Sequence, residues 1–341
     1  MAFKVTLQPS GHSYPASVDD TLLQAAIDAG LNIPYGCRNG ACGACKAKVV
    51  AGRVGVGRAQ EHALSAADMA AGLALTCCAK ALSDVTIEVR EVVGQRDIPV
   101  RTMPCRVQEL RRLAADVMIM RLKLPANERL QFIAGQYIEF LLPDGKRRAF
   151  SLANAPHQDD LLELHLRLIP GGTFTEYAFT AMKERDILRF EGPLGSFRLH
   201  EDSTKPMILL AGGTGFAPIK ALIEHAIHNR IVRPMALYWG AKSRDGLYLP
   251  ELPQLWAAAH PHITYVPVLS EPAADDAWTG RSGLVHLAVL EDFADLSQYQ
   301  VYACGAPVMI EVAQRDFSAR GLPADEFFSD VFSYAAKAAA K

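Results

Sequence analysis

Long apolar runs are missing from this 341-residue chain. The longest, such as Met207–Ala211, fall far short of the ~18 residues a membrane span needs, so no membrane partner is expected. Charge of one sign is missing as well. Thirty-five Lys and Arg stand against 37 Asp and Glu, a net charge of −2, which leaves no basic footprint for nucleic acid. The opening Met-Ala-Phe-Lys-Val-Thr has no apolar signal core, so a cytoplasmic protein is expected. No internal repeat, paired-carboxylate motif, Ser–His–Asp order or phosphate-transfer loop stands out, and the 10 histidines are scattered without H-E-x-x-H spacing. What is present is a chain half apolar and 21% charged, long enough for two or three domains with real cores.

The seven cysteines are unevenly placed. Cys37, Cys42, Cys45, Cys77 and Cys78 crowd the first quarter, while Cys105 and Cys304 stand alone. An odd number without an export signal argues for metal or redox use over a disulfide framework.

The periodicity changes along the chain. In residues 1–92, Phe3–Leu7 and Tyr14–Ser17 read as a strand pair, Thr21–Gly30 as a helix opened by Asp19 and Asp20, and Val85–Val89 as a closing strand. Acidic and basic residues balance there. Residues 93–104, with Pro99 and Pro104, read as a linker. Residues 105–200 hold short alternating segments, Cys105–Leu110, Val117–Leu124, Tyr137–Leu142, Arg148–Ala153 and Leu162–Ile169, the pattern of an antiparallel barrel. One helix, Thr175–Lys183, interrupts them. Across 201–334 strands at Met207–Ala211, Pro234–Trp239, Ile263–Leu269 and Gln300–Ala303 alternate with helices, which means a doubly wound parallel sheet with ligands at its carboxyl ends. Residues 335–341, only Ala and Lys, read as a frayed tail. The fold class expected is a multidomain α+β and α/β chain.

Cys37-x4-Cys42-x2-Cys45, followed at a distance by Cys77, is the spacing that holds a 2Fe–2S cluster. Glycines 36, 40 and 43 with Ala41 and Ala44 keep the loop free of bulk, so backbone amides can turn toward the sulfurs. Structural zinc is the competing use, but zinc sites pair two short knuckles, whereas here three ligands share one loop.

Two further segments suit nucleotide phosphates. Arg148-Ala149-Phe150-Ser151 ends a strand, and a guanidinium matches phosphate bidentately. Gly171-Gly172 opens the helix containing Thr173, Phe174 and Thr175 and offers amides to a second phosphate region. Gly212-Gly213-Thr214-Gly215 lies where a strand becomes a helix, without the G-x-G-x-x-G pattern. Cys304-Gly305-Ala306-Pro307 ends another strand.

These segments, in this order, resemble the ferredoxin–NADP reductase superfamily fused to a plant-type ferredoxin. Among fused reductases the resemblance is strongest to those of dideoxysugar synthesis and next to oxygenase reductases. It rests on Leu75-Thr76-Cys77-Cys78, Gly135-Gln136-Tyr137-Ile138, Ser151-Leu152-Ala153-Asn154-Ala155-Pro156, Trp278-Thr279-Gly280, Tyr302-Ala303-Cys304-Gly305 and Phe327-Phe328-Ser329-Asp330. It implies a β-grasp ferredoxin domain, a barrel holding FAD and a sheet holding NADH, with NADPH left open because Arg244 and Asp245 are both present. Cys77, six residues before Ser83, is implied as the fourth cluster ligand, and Cys78 is then expected as a bystander in the core. Arg148, Ala149, Phe150, Ser151, Arg167, Gly171, Gly172, Thr173, Phe174, Thr175 and Phe332 are implied at FAD. Gly212, Gly213, Thr214, Gly215, Arg244, Cys304 and Gly305 are implied at the nicotinamide nucleotide, with Ser151 and Cys304 flanking hydride transfer. The implied function is a reductase passing electrons to a protein acceptor, either a dehydratase or an oxygenase component. A ferredoxin-like binding or sensor module is the non-enzyme alternative. With Arg38, Lys46 and Lys48 beside the cluster, a weakly salt-dependent docking face is expected.

Overall fold

The structure, a computed structural model, describes residues 2–61, 63–91, 98–274 and 277–332. It divides into two units, Met1–Pro99 with Gly195–Phe197, and Val100–Leu194 with Arg198–Lys341.

In the first unit, strand Ala2–Gln8 alternates so that Val5 and Leu7 are buried while Lys4 and Gln8 face water. It pairs antiparallel with Ser13–Ser17 and parallel with Val85–Glu88, and the sheet continues through Lys46–Ala51 to Leu73–Leu75. Helix Leu22–Asp28 covers it with Leu22, Leu23, Ala25 and Ala26. The helix is capped by Thr21, which accepts from the Gln24 amide at 3.1 Å, and not by Asp19 or Asp20, which lie too far upstream of its first turn. This mixed sheet with one covering helix is a β-grasp.

The second unit begins earlier than the sequence suggested. Arg101–Arg112 is one strand, so residues 101–104 of the expected linker belong to it. Met103, Cys105 and Val107 alternate inward, a period that Pro104 had masked. Residues 93–97 lie outside the described residues, as does the 335–341 tail. The six antiparallel strands run in the order Arg147–Ser151, Tyr137–Leu141, Ile187–Leu194, Arg101–Arg112, Val117–Lys123 and Leu162–Arg167. A bridge between Leu152 and Leu164 joins the two edges and closes a barrel around Phe140, Phe190, Met120 and Leu164. Ile187–Leu194 was not read as a strand, because its Gly192-Pro193 end and two charged residues blur the alternation.

The second sheet of this unit is entirely parallel, in the order Arg281–Ser282, Ile263–Leu269, Met235–Ala241, Met207–Gly212, Gln300–Gly305 and Phe327–Val331. Its central strands are buried on both faces, which is why they read as continuous apolar runs. Barrel and sheet share one unit because side chains pin them together, for example His165 of the barrel to the Tyr248 hydroxyl at 2.8 Å.

Candidate redox sites

The cysteine loop lies between helix Leu22–Asp28 and strand Lys46–Ala51. Its thiols meet in two pairs, Cys37 with Cys42 and Cys45 with Cys77, joined by a contact between Cys37 and Cys77. Cys78 is half-buried rather than in the core, its Sγ 3.6 Å from that of Cys77. The amides of Ala41 and Cys37 donate to the sulfurs of Cys37 and Cys42, each at 3.3 Å, and those of Asn39 and Ala44 add to them. Neighbouring thiols set the titration first. Cys42 and Cys77 pull Cys37 down, Cys77 pulls Cys45 down, and Cys37 pushes Cys42 and Cys77 up. Four crowded thiols cannot all ionise without positive charge among them.

Gly40 makes the loop possible. Its φ is +78°, and a Cβ there would lie 2.7 Å from the Arg58 carbonyl and 2.8 Å from Cys78 Sγ. Among the described residues no group of three or more His, Cys, Asp or Glu is gathered as a single-ion site. Two thiol pairs in a row suit a two-iron cluster, with two ligands per iron, better than one tetrahedral zinc.

In the second unit, strand Arg147–Ser151 carries Arg148, half-buried, whose guanidinium contacts the Arg147 carbonyl at 2.8 Å. Ala149 is exposed beside it. Phe150 is half-buried, its ring 5.8 Å from Phe140 and 5.2 Å from Phe174. Phe174 is 3% exposed and stacks on Phe140, so its side chain belongs to the barrel wall. The glycine pair behaves differently from expectation. The Gly171 amide donates to Glu176 Oε1 at 2.6 Å and the Gly172 amide to the Ile169 carbonyl, so the first-turn amides left for an anion are those of Thr173, Phe174 and Thr175. The Thr175 hydroxyl turns back to the same Ile169 backbone.

A cavity of about 410 Å³ opens at the carboxyl ends of the parallel strands. Gly212, Gly213 and Thr214 form one wall, Gly240, Ala241 and Lys242 another, and Arg167 and Phe332 close it. Arg167 is held by Asp116 at 2.8 Å and lies against Gly213, where a Cβ would sit 3.2 Å from its Nη2. Trp239 donates to the Gly213 carbonyl at 2.9 Å and stacks on Phe216, which fixes the loop. Arg244 is exposed in a short turn and does not line this cavity; Lys242 does, paired with Glu271 at 3.0 Å.

Ser151 and Cys304 come together through a residue that sequence reasoning passed over. Asp330 Oδ2 accepts from Ser151 Oγ at 2.9 Å and from Cys304 Sγ at 3.9 Å. Asp330 sits on strand Phe327–Val331, in parallel register with Cys304. The sequence reading placed no strand at Phe327–Val331 and took Asp330 only as part of the Phe327-Phe328-Ser329-Asp330 motif, with no role of its own. Burial pushes the Cys304 thiol well up, and Asp330 adds to the shift, so the sulfur stays protonated. Gly305 follows it, and the Phe332 amide donates to the Gly305 carbonyl at 3.0 Å.

Comparison with known proteins agrees with this geometry. Family models match in three places: a 2Fe–2S iron–sulfur cluster binding domain at 5–82, an oxidoreductase FAD-binding domain at 104–199 and an oxidoreductase NAD-binding domain at 209–315. The chain is 41% identical to the CDP-6-deoxy-L-threo-D-glycero-4-hexulose-3-dehydrase reductase of Yersinia pestis, over 97% of this chain and 99% of that one. It is 33% identical to a reductase component of terephthalate 1,2-dioxygenase from Comamonas, over 98% of both. A crystal structure of an Amycolatopsis cytochrome P450 reductase superposes with a TM-score of 0.81 at 34% identity, covering 97% of this chain and 98% of that one.

Fold and sites together define an NAD(P)H-dependent electron-transfer oxidoreductase with FAD and a 2Fe–2S cluster. The chain belongs to the family of fused ferredoxin–flavoprotein reductases that includes the CDP-hexulose dehydrase reductases and the reductase components of oxygenases.

Proposed function

We propose that this chain takes hydride from NADH and delivers single electrons to a dehydrase acting on a CDP-linked 6-deoxyhexulose, in the cytoplasm. The observation that carries this reading is the meeting of Ser151, from the barrel, and Cys304, from the nicotinamide sheet, on one buried carboxylate. The near full-length identity to the Yersinia reductase supports the choice of acceptor. When bound, FAD supplies acceptance of a hydride and release of its electrons singly, and the cluster supplies one-electron storage.

The chain's own residues divide the remaining work. Cys37, Cys42, Cys45 and Cys77 hold the two irons, and the amides of Asn39, Ala41 and Ala44 offset negative charge on the sulfurs. Arg148 and the first-turn amides of Thr173, Phe174 and Thr175 bind the FAD phosphates. Phe150 and Phe332 would pack beside the flavin, and the Ser151 hydroxyl, held by Asp330, would be available to hydrogen-bond it. Gly212 to Gly215 receive the nicotinamide nucleotide, with Arg167 behind Gly213. Cys304, kept protonated, shapes the nicotinamide pocket without acting as a nucleophile. The domains assigned to these tasks are 1–92, 101–200, with the barrel strand Arg101–Arg112 included, and 201–334.

An oxygenase acceptor is the second reading, favoured by the close superposition on the P450 reductase. An anaerobic NADH titration tests the common core: flavin bleaching must be accompanied by the rhombic electron paramagnetic resonance signal of a reduced 2Fe–2S cluster. A signal obtained with dithionite but not with NADH or NADPH overturns the reductase reading. With the core intact, formation of a 3-deoxy sugar from a CDP-6-deoxyhexulose and its dehydrase tests the acceptor. No product there removes the dehydrase reading.

A further inference from the structure

Helix Phe216–His228 starts at the nicotinamide loop. Lys220, Glu224 and His228 recur every fourth residue, so they lie along one face of it. Opposite them runs the segment that continues from Ser151 through a bend at Asn154 into a turn at 156–157, and the three meet Ala153, Ala155 and His157 in turn. Lys220 Nζ donates to the Ala153 carbonyl at 3.0 Å. Glu224 accepts from the Ala155 amide. His228 stacks on His157, ring centroids 3.8 Å apart and nearly parallel.

The inner end is the most tightly held. Lys220 is 7% exposed and also pairs with Glu224 at 3.0 Å and Glu163 at 3.2 Å. Glu163 in turn holds Arg121 at 2.9 Å and His165 at 3.2 Å. A buried ammonium aimed at a main-chain carbonyl costs more to desolvate than an apolar side chain of the same length. Stability alone therefore gives a weak reason for it, whereas fixing a register gives a specific one.

We propose that Lys220, with Glu224 and His228 behind it, is a positioning residue for hydride transfer: the stripe sets the advance of the nicotinamide loop and Cys304 relative to Ser151. This rests on the reading of Ser151 and Cys304 as flanking the reacting atoms. Reacting atoms must approach to about 3–3.5 Å, and an error of about 1 Å is costly in rate. The stripe acts two residues from Ser151 at Lys220 and six residues away at His228. Its members therefore matter in that order.

The test uses the FAD- and cluster-loaded protein. Lys220→Met is expected to lower the limiting rate of flavin reduction by NADH by about tenfold or more, with the half-saturating NADH concentration and FAD content unchanged. Lys220→Arg, which keeps a cation, recovers part of the rate. Hydrogen exchange of the 153–157 segment accelerates in Lys220→Met while the central parallel strands are unaffected. Should Lys220→Met fail to fold, Glu224→Gln and His228→Ala decide, the first slowing hydride transfer more than the second. Wild-type protein that NADH does not reduce sinks the functional reading. Wild-type reduction with an unslowed Lys220→Met, a loss matched by weaker NADH binding, or a ranking that follows melting temperature sinks this one.

Discussion

Gly215→Ala isolates one contact on which the proposed hydride site depends. Gly215 has φ −58° and ψ −11°, ordinary helical values, so alanine there meets no backbone strain. In open space such a replacement would stabilise by about 0.4–1 kcal/mol through the unfolded chain. Here an added Cβ would fall 2.1 Å from the Cys304 carbonyl oxygen and 2.6 Å from its carbon. Both are main-chain atoms of a central strand, so no flexible side chain can give way. Loop and strand must part by roughly an ångström, an overpacking that typically costs about 1–3 kcal/mol. For a unit of this size the melting temperature should fall by about 2–12 °C. The displaced atoms are those of Cys304 itself, so flavin reduction by NADH should slow about 100-fold while FAD stays bound. Calorimetry and stopped-flow bleaching of the flavin read the two effects. Gly145→Ala is the control, since φ is +76° and no atom lies within 4 Å; it carries backbone strain alone and should leave hydride transfer intact. A Gly215→Ala protein that melts higher than wild type and is reduced at an unchanged rate would refute the close approach and the site built on it.

Other expectations follow from individual side chains. Cys78→Ser should retain the cluster's visible absorbance and resonance signal, whereas Cys77→Ser should lose or alter both; the reverse outcome moves the fourth ligand to Cys78. Cys304, 0% exposed with its thiol pushed well up, should resist iodoacetamide in the native protein at pH 8 and react once the chain is unfolded, as mass spectrometry of its peptide will report. Burial holds the His165 pKa below its usual 6.5, so the unfolded chain binds the proton more readily. The second unit should thus keep its full contribution from this residue above pH 6.5 and lose it progressively as the pH falls; a melting temperature unchanged between pH 7.5 and 5 would contradict that.

How much of this was legible in the sequence depends on where each constraint acts. Residues whose chemistry demands a type at a fixed spacing could be read directly. Cys37, Cys42 and Cys45 share one loop, and Arg148 to Ser151 share one strand. The parallel sheet was equally legible, because strands buried on both faces leave uninterrupted apolar runs. Asp330 could not be read that way, because its meaning arises only when the last strand pairs in parallel with Gln300–Gly305 and brings it to Ser151, 179 residues away in the chain. Lys220 likewise looks like one solvated lysine of an amphipathic helix until the barrel closes over it. Lys242 and Arg244 make the same point at shorter range. They are two residues apart after one strand, and only the turn at Arg244–Gly246 decides that Lys242 lines the cavity and Arg244 does not. Cofactor-holding groups are specified locally because a phosphate or a cluster is a local demand. Groups that join the barrel to the parallel sheet, such as Asp330 and Lys220, are specified by packing between segments, and packing between segments has no spacing in the sequence to betray it.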